Sequence, residues 1–445
     1  MISSQQHDLI LKNLGVTSLN PMQEAAQKAI LQDNDTFLIA PTGSGKTLGF
    51  LLPVLQLLKP DRNVVQCLVL APTRELALQI EQVWKNMGTG YKVNVCYGGH
   101  AMETEIKNLS NPPALLIGTP GRISDHIDRK TLSLEGIQTL VLDEFDKSLE
   151  LGFQDEMAFI ISRLSNLKKR VLVSATSGIK IPDFVRLNAP TTLNFTREDD
   201  TPTGLTIKVV YSEEKDKIDT LFRLLCSLNS EAALIFCNHR EAAERTSALL
   251  NERGIYATFY HGGMEQADRE RALILFRNGS VTYLVTTDLA ARGLDIPEMK
   301  HVIHYHLPLQ AHEFVHRNGR TARMHRTGGP ASGTAYVILH QDEPRPAYLD
   351  KSLEIVELPT DMILPRPPEF ITLYISGGKK NKLNKIDIVG FLSQKGQLDK
   401  GDLGLIEVKD FSSFAAVKKD KVATLLERIK DQKMKGKKYK IEVAR

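Results

Sequence analysis

Thr36-Phe-Leu-Ile-Ala40-Pro-Thr-Gly-Ser-Gly-Lys46-Thr47 runs from a short apolar stretch into a turn of small residues, and Leu48 to Leu58 continues it as an apolar run. Residues 36–40 suit a buried strand, and the run beyond Lys46 suits a helix. A strand, a glycine-rich turn and a helix in that order let backbone N–H groups wrap a phosphate chain at the helix N-terminus. Ala40, Pro41, Thr42, Gly43, Ser44, Gly45, Lys46 and Thr47 therefore form a candidate phosphate cradle. Lys46 would reach the β and γ phosphates of a nucleotide, and the hydroxyl of Thr47 would hold Mg2+. The strict pattern has Gly where Ala40 stands, which keeps a chance turn as the competing reading.

Outward from this stretch, short β-branched runs alternate with helical patterns. Gln66–Ala71, Ala114–Gly118, Thr139–Asp143 and Val171–Ser174 read as further buried strands, an alternation that implies a parallel sheet covered by helices. Val141-Leu-Asp143-Glu144-Phe145-Asp146 ends one of them, and ligands of open α/β sheets sit at such carboxyl ends. Asp143 suits Mg2+ coordination, and Glu144 can orient and deprotonate an attacking water. Acids after a strand also serve as caps and turn residues, but the cradle upstream favours the catalytic reading.

The rhythm resumes after the polar stretch Asn194–Gly204, with runs at Ala233–Cys237, Tyr256–Tyr260, Tyr283–Thr286, His301–Tyr305 and Gly333–Leu339. The proline-rich segment Leu358–Glu369 reads as an extended connector. Beyond it the pattern is strand Ile371–Ser376, helix Lys385–Gln394, strands near Leu405–Val408 and Phe414–Val417, helix Val422–Lys433 and strand Tyr439–Val443. That βαββαβ order is the ferredoxin-like layout of RNA-recognition modules. The expected domains are thus 1–199, 205–357, a linker 358–369 and 370–445.

Composition agrees with a chain of several cores. At 445 residues it exceeds one ordinary domain of about 100–200 residues. With 42% hydrophobic and 25% charged residues it is neither disordered nor fibrous. Cys67, Cys96, Cys226 and Cys237 form no C-x-x-C pair and read as buried thiols of a reducing compartment. Met1–Asp8 lacks the pattern of a signal peptide, and no apolar run is long enough to span a bilayer, so a cytoplasmic protein without membrane contact is expected. Net charge is +4, yet residues 379–445 hold 18 basic against 9 acidic side chains, a balance of +9 that leaves about −5 for the rest. A basic tail on a weakly acidic body suits phosphate backbones, although a basic stretch is also an ordinary solvated face.

The cradle and the Asp-Glu-Phe-Asp box recur with an ordered set of further segments: Pro72-Thr-Arg-Glu-Leu-Ala77, Gly98-Gly99, Thr119-Pro-Gly-Arg122, Ser174-Ala-Thr176, Gln266 with Arg269, Thr286-Thr-Asp-Leu-Ala-Ala-Arg-Gly-Leu-Asp295 and His316-Arg-Asn-Gly-Arg-Thr-Ala-Arg323. Any one is weak, but together, from about Leu14 to Gly328, they resemble the DEAD-box family of superfamily-two RNA helicases. The resemblance implies an α/β chain of two tandem RecA-like parallel-sheet lobes with a small RRM-like α+β domain behind them. It implies ATP hydrolysis coupled to local unwinding of RNA rather than translocation. Arg320 and Arg323 would be arginine fingers from lobe two toward the γ-phosphate, tying chemistry to closure of the lobes. Asp295 would bind the ribose and Gln23 the adenine, while Asp146, Ser174, Thr176 and His316 would couple the ATP site to closure. Arg74, Gly99, Thr119, Arg122, Arg269 and Thr286 would hold RNA through phosphates and 2′-OH groups, without reading sequence.

Two departures from the family pattern stand out: Phe145 replaces the usual Ala, and Val16 and Asn20 replace the usual Phe and Thr of the adenine-binding segment. Leu373-Tyr-Ile-Ser-Gly-Gly-Lys-Lys380, with Lys382, Lys385 and later Met434-Lys-Gly-Lys437, resembles the C-terminal RNA-binding domain of the bacterial DbpA-type helicases. That subgroup recognises a hairpin of large-subunit ribosomal RNA in ribosome assembly, which makes ribosomal RNA the implied partner of a monomeric enzyme, with Lys379, Lys380 and Lys382 among its contacts. Tyr374 faces either RNA or the core, and Phe411 and Phe414 are expected in core or turn packing. His301, His304, His306 and His312 lie close in sequence, but on a strand 304 and 306 share a face that 301 does not, and no cysteine joins them as a zinc ligand. Glu144, Arg320 and Arg323 argue against the rival reading of an ATP-gated RNA clamp or assembly scaffold. The segments after Leu70 and Gly118 argue against a DNA helicase.

Overall fold

The computed structural model describes residues 4–32, 34–41, 43–99, 101–196, 204–288, 299–321, 332–350 and 352–444. The chain divides into two compact units, one built on a first sheet and one holding both a second sheet and the C-terminal domain.

The first sheet is entirely parallel. Its strands are β1 (Thr36–Ile39), β2 (Cys67–Leu70), β3 (Val93–Cys96), β4 (Leu115–Gly118), β5 (Thr139–Leu142), β6 (Lys169–Ser174) and β7 (Thr191–Asn194), in the order β3-β4-β2-β5-β6-β1-β7. β1, β2, β4 and β5 are buried along their whole length, as strands covered on both faces must be. Alternate residues feed two cores: Leu38, Val69, Val141 and Val173 enter one, and Phe37, Leu68, Leu140 and Leu172 the other.

In the second unit β8 (Leu205–Ser212), β9 (Ala233–Phe236), β10 (Ala257–Tyr260), β11 (Tyr283–Thr286), β12 (His301–His304), β13 (Gly333–His340) and β14 (Glu354–Ile355) form another parallel sheet, ordered β10-β11-β9-β12-β13-β8-β14. Counted from its own first strand, each sheet follows the same order, so the two RecA-like lobes are copies of one topology. Sequence reading missed β3, β7, β8 and β14. β7 is half exposed and β14 fully so, and edge strands of this kind carry no long apolar run.

The C-terminal domain follows the order read from sequence: β15 (Phe370–Ile375), helix Lys385–Gln394, β16 (Leu403–Val408), β17 (Ser413–Lys418), helix Val422–Ile429 and β18 (Ile441–Val443), paired antiparallel as β16-β17-β15-β18. The second helix stops at Ile429 rather than the expected Lys433. The chain turns there to bury Met434 in the domain core, with Lys435 and Gly436 left-handed at φ 50° and 77°. Along the connector Arg223 Nη2 donates to the Leu358 carbonyl (3.0 Å) and the Arg366 amide to Ser230 Oγ (2.7 Å). No described helix is long and apolar enough to cross a membrane.

Candidate nucleotide and nucleic-acid sites

The carboxyl edge of the first sheet carries two groups of residues. β5, β6 and β1 are neighbours, and their ends lead into Asp143–Asp146, Ser174–Thr176 and the glycine-rich turn. β3, β4 and β2 lie beside one another in the other half of the sheet, and lead into Gly98–Gly99, Thr119–Arg122 and Pro72–Ala77. Sheet order thus separates the residues expected at ATP from those expected at RNA, which sequence order interleaves.

In the turn, Gly43 and Gly45 stand at φ 85° and 84°, a left-handed region that glycine enters without a Cβ penalty. Helix Lys46–Leu57 follows, anchored by the buried run Leu48–Leu55. Lys46 Nζ donates to the carbonyls of Ala40 (2.5 Å) and Pro41 (3.0 Å), and Ser44 Oγ to that of Pro41 (2.8 Å). Thr47 lies in the helix's first turn; Thr42 falls outside the described residues.

Gln23 meets the same turn. Asn20 and Gln23 cap helix Pro21–Ile30 reciprocally, and each also donates into the turn, Asn20 Nδ2 to the Ser44 carbonyl (2.9 Å) and Gln23 Nε2 to that of Gly45 (3.2 Å). Asn20, where the family has Thr, is therefore a working N-cap. A Cβ at Gly45 would lie 2.5 Å from Gln23 Nε2, so the glycine is needed for this approach as well as for its φ.

Asp143 is 3% exposed. Burial pushes its carboxyl up to about 7; Glu144 beside it adds to the push and Lys46 opposes it. The Asp143 carboxylate and the Thr47 hydroxyl are both hard oxygen donors of the kind Mg2+ prefers. Glu144 adopts φ 44°, ψ 52°, a left-handed backbone unusual for a side-chain-bearing residue and of the sort found at reactive centres. Phe145 is fully buried in the core with Leu142 and Leu172.

Asp146 is joined to the loop after β6. Its Oδ2 accepts from Thr176 Oγ1 (3.0 Å) and the Ala175 amide (3.3 Å), while Ser174 Oγ donates to the Thr176 carbonyl (3.0 Å). Three of the four residues expected to couple the site thus form one network in lobe one. His316 lies on helix Ala311–Asn318 of the other unit, edge-on to His312 at 6.1 Å between ring centroids.

In the other half of the edge, Arg74 packs on the glycine pair, and a Cβ at Gly99 would come within 2.6 Å of Arg74 Nη1. Thr119 begins helix Pro120–Asp128 and Arg122 projects from its first turn. Arg122 Nε donates to Glu105 Oε2 (2.7 Å), which also meets His126 Nε2 (2.8 Å), and Glu105 Oε1 accepts from the Tyr97 amide (3.2 Å). Burial alone would raise the Glu105 carboxyl, but the hydrogen bonds from His126 and Arg122 outweigh it and hold the group below its ordinary range. Cys96, Glu105 and His126 bring potential metal-ligand atoms within 4.8 Å of one another, but both oxygens of Glu105 are already engaged by these donors. Sequence reading missed Glu105 and His126 because neither lies in a recognisable motif.

In lobe two, Arg269 Nη2 donates to Gln266 Oε1 (2.6 Å) at the start of helix Gln266–Arg277. Thr286 departs from expectation. It is 0% exposed and its hydroxyl donates to the Tyr260 carbonyl (2.9 Å), so it braces β11 rather than facing RNA. Arg320 is 7% exposed and follows a turn closed by its own amide on the Arg317 carbonyl. Arg317, which sequence reading passed over, is more deeply set: it forks onto Asp288 (2.6 and 2.5 Å) and donates to the His306 carbonyl and Asn238 Oδ1. That buried clamp fixes the segment bearing Arg320. Asp295 and Arg323 lie outside the described residues. The nearby histidines have separate protein partners, His301 meeting Glu231 (2.7 Å) and His304 meeting Asn318 (2.8 Å).

In the C-terminal domain the amides of Lys379 and Lys380 donate to the carbonyls of Lys409 and Asp410 (both 2.8 Å), and Lys435 Nζ donates to the Lys382 carbonyl (3.0 Å). Lysines far apart in sequence therefore share one end of the domain, with Lys379, Lys380, Lys382 and Lys435 exposed. The expectation of core or turn packing for Phe411 is wrong: it stands 72% exposed at the tip of the β16–β17 hairpin, next to Lys409 and Asp410. Phe414 is buried and meets Tyr374 edge-on at 5.6 Å between ring centroids.

Comparison with known proteins accords with this geometry. Residues 20–184 match the DEAD/DEAH box helicase family, 216–325 the helicase conserved C-terminal domain and 372–443 the DbpA RNA binding domain. The chain is 31% identical over 470 residues to the ATP-dependent RNA helicase DbpA of Bacillus subtilis, covering 98% of each, and 32% identical over 444 residues to that of Escherichia coli, covering 97% of this chain and 96% of the other. The structure of S. cerevisiae Dbp5 bound to RNA and ADP BeF3 superposes with a TM-score of 0.67 at 26% identity, over 77% of this chain and 88% of that one. The chain belongs to the DEAD-box ATP-dependent RNA helicases, in the DbpA subgroup that carries an RNA-binding domain behind its two RecA-like lobes.

Proposed function

We propose that this ATP-dependent RNA helicase acts on large-subunit ribosomal RNA during ribosome assembly, as a cytoplasmic monomer that uses ATP together with Mg2+. Asp143 and Thr47 would hold the ion, which supplies charge neutralisation at the phosphates. Lys46 leaves the Ala40 and Pro41 carbonyls for the β and γ phosphates. Glu144 takes the proton of the attacking water. Arg320 and Arg323 bring charge to the γ-phosphate, Asp295 binds the ribose and Gln23 the adenine. Asp146, Ser174, Thr176 and His316 make hydrolysis depend on RNA. Arg74, Gly99, Thr119, Arg122 and Arg269 grip the RNA backbone, with Lys379, Lys380 and Lys382 adding the selective contact.

The observation that carries the choice of substrate is the meeting of Lys379, Lys380, Lys382 and Lys435 with the exposed Phe411 at one end of the domain matched to DbpA. A cationic end with one free aromatic ring suits a phosphate backbone with an unpaired base to stack, as at a hairpin loop. The test compares ATPase rates with no nucleic acid, poly-A RNA, single-stranded DNA and a large-subunit ribosomal RNA fragment. It is repeated with the chain carrying Lys379→Ala, Lys380→Ala, Lys382→Ala and Phe411→Ala. The reading expects strong stimulation by the ribosomal fragment, lost in the variant while stimulation by poly-A persists. Equal stimulation by both RNAs would reject the ribosomal target, and RNA binding without any stimulation would favour an ATP-gated clamp.

A further inference from the structure

Cys96 ends β3, Glu105 lies in helix Met102–Leu109 and His126 in helix Pro120–Asp128, so three elements of lobe one converge on one point. The three residues are 1%, 1% and 0% exposed, and a sulfur, a carboxylate oxygen and an imidazole nitrogen lie within 4.8 Å of one another. Burying an acid beside an imidazole and a thiol costs desolvation that apolar side chains of similar size would avoid. Sulfur, oxygen and nitrogen donors held on a strand end and two helices are the material of a transition-metal site.

The hydrogen bonds call for a cation at this point. Thr131 Oγ1 donates to the His126 carbonyl (3.1 Å) and so meets His126 Nδ1 (2.8 Å) as an acceptor, while Nε2 meets Glu105 Oε2 (2.8 Å). A neutral imidazole has one N–H for these two oxygens, so the second needs an added positive charge: a proton at Nε2, or a metal ion in its place. An acceptor behind Nδ1 is also what orients a metal-ligating histidine. Arg122 Nε reaches the same Oε2 (2.7 Å), and its side chain is 12% exposed where those of Glu105 and His126 are sealed from solvent. The guanidinium is thus the member of the cluster that reaches solvent, and its departure uncovers Oε2.

We propose that Cys96, Glu105 and His126 form a binding site for a zinc-class divalent cation, and that the ion and the Arg122 guanidinium exclude one another at Glu105. Zn2+ and Co2+ accept such a sulfur, nitrogen and oxygen set, whereas Mg2+ prefers oxygen alone. Tetrahedral bonds of about 2.0–2.3 Å set ligand atoms about 3.3–3.6 Å apart, so the Glu105–His126 contact has to widen by about 0.5 Å, and a fourth position is left for water. Binding displaces two protons to solvent, one from Nε2 and one from the thiol, whose sulfur keeps the electron pair of the broken S–H bond. Burial pushes the Cys96 thiol up and opposes that loss, which the charge of the ion reverses. With Glu105 taken, Arg122 loses the carboxylate that positions it, and the hold on RNA weakens. That consequence rests on the assignment of Arg122 to RNA; the binding does not.

The test uses the full chain with Cys226→Ser, which leaves only buried thiols, and Co2+ as the probe. Co2+ should give a thiolate-to-metal charge-transfer band in the near ultraviolet that saturates at one ion per chain, and Zn2+ should abolish it by displacement. Cys96→Ala should remove the band, and His126→Gln should weaken Co2+ binding about tenfold or more. Arg122→Ala should tighten it about tenfold, because the competing guanidinium is gone. A cooperatively melting protein without the band, or a band that survives Cys96→Ala, overturns the site; Co2+ affinity unchanged by Arg122→Ala overturns the exclusion. In RNA-stimulated ATPase, one equivalent of Zn2+ should raise the KM for RNA about fivefold and leave the KM for ATP unchanged, with no such effect in Cys96→Ala. An equal rise in Cys96→Ala would place the inhibiting ion elsewhere and reject the link to RNA. Because the Co2+ band needs no RNA, a wrong assignment of Arg122 to RNA changes the KM result and leaves the band as it is.

Discussion

At the scale of single residues, Phe145 and Glu105 show how a site departs from its motif without losing its chemistry. Phe145 occupies the position where the family has a small residue, yet its ring is fully buried among the lobe-one core side chains, while Asp143 and Glu144 follow directly on the carboxyl end of β5. Phe145→Ala should therefore lower stability by about 3–5 kcal/mol, the usual cost of an aromatic-sized cavity, with ATP turnover preserved below the new melting temperature. Urea titration and steady-state ATPase on the same sample decide it, and an ATPase defect without destabilisation would contradict this role. Glu105 acts through Arg122. Its carboxylate holds the guanidinium and His126 together, and Glu105→Gln keeps the shape while removing the charge. The KM for RNA in stimulated ATPase should rise about fivefold, with the KM for ATP unchanged. Equal increases in both constants would indicate general loosening of the lobe instead. Asp143, Glu144 and the glycine-rich turn were legible in the sequence because phosphate chemistry constrains residue type and spacing together. Glu105, His126 and Arg317 were not, since a buried ion pair is made by residues distant along the chain, and Thr286 was misread because a motif does not say which of its members points inward.

At the scale of elements, the central strands of the two parallel sheets were legible apart from β8, and of their edges only β10 was. β1, β2, β5, β9 and β11 announce themselves as apolar runs because both faces of a parallel sheet are covered. β14 has two residues and no buried side chain, and pairing alone defines it. β12 adds a pH response to lobe two. His304, which sequence reading weighed only as a metal ligand, is fully buried between Phe236 and Phe314, and burial, aided by the charge of Arg317, depresses its imidazole to about 3. The folded state thus keeps a neutral ring where the unfolded chain, with its ordinary value of 6.5, takes up a proton. Stability from this group is complete above pH 6.5, declines as pH falls from there toward 3, and amounts to about 2 kcal/mol lost by pH 5. His304→Gln, whose amide can still donate to Asn318, should flatten that part of the pH dependence. Urea midpoints at pH 7.5 and 5 for the two proteins test it, and identical losses in both would assign the acid sensitivity to other groups.

At the scale of the whole molecule, charge and architecture divide the work. Residues 1–378 carry about −5 while 379–445 carry +9, so lobe one and lobe two must hold RNA with a few placed groups, whereas the C-terminal domain can attract it over a distance. The sequence showed this imbalance but not its geometry: Lys382 and Lys435 are 53 residues apart and meet only because the domain closes its sheet. Counterion release turns the geometry into a measurable slope. Each lysine that neutralises a phosphate contributes about 0.7 to the fall of log affinity with log salt on single-stranded RNA, and somewhat more on duplex. Replacing Lys379, Lys380 and Lys382 with alanine should therefore lower the slope for a ribosomal RNA fragment by about 2, if each side chain neutralises one phosphate. Phe411→Ala should instead weaken binding about tenfold at every salt concentration, because stacking releases no counterions. Slopes that stay parallel after the lysine substitutions would place the phosphate contacts elsewhere on the chain. A slope that falls with Phe411→Ala would mean that the ring orders the lysines rather than stacking on a base.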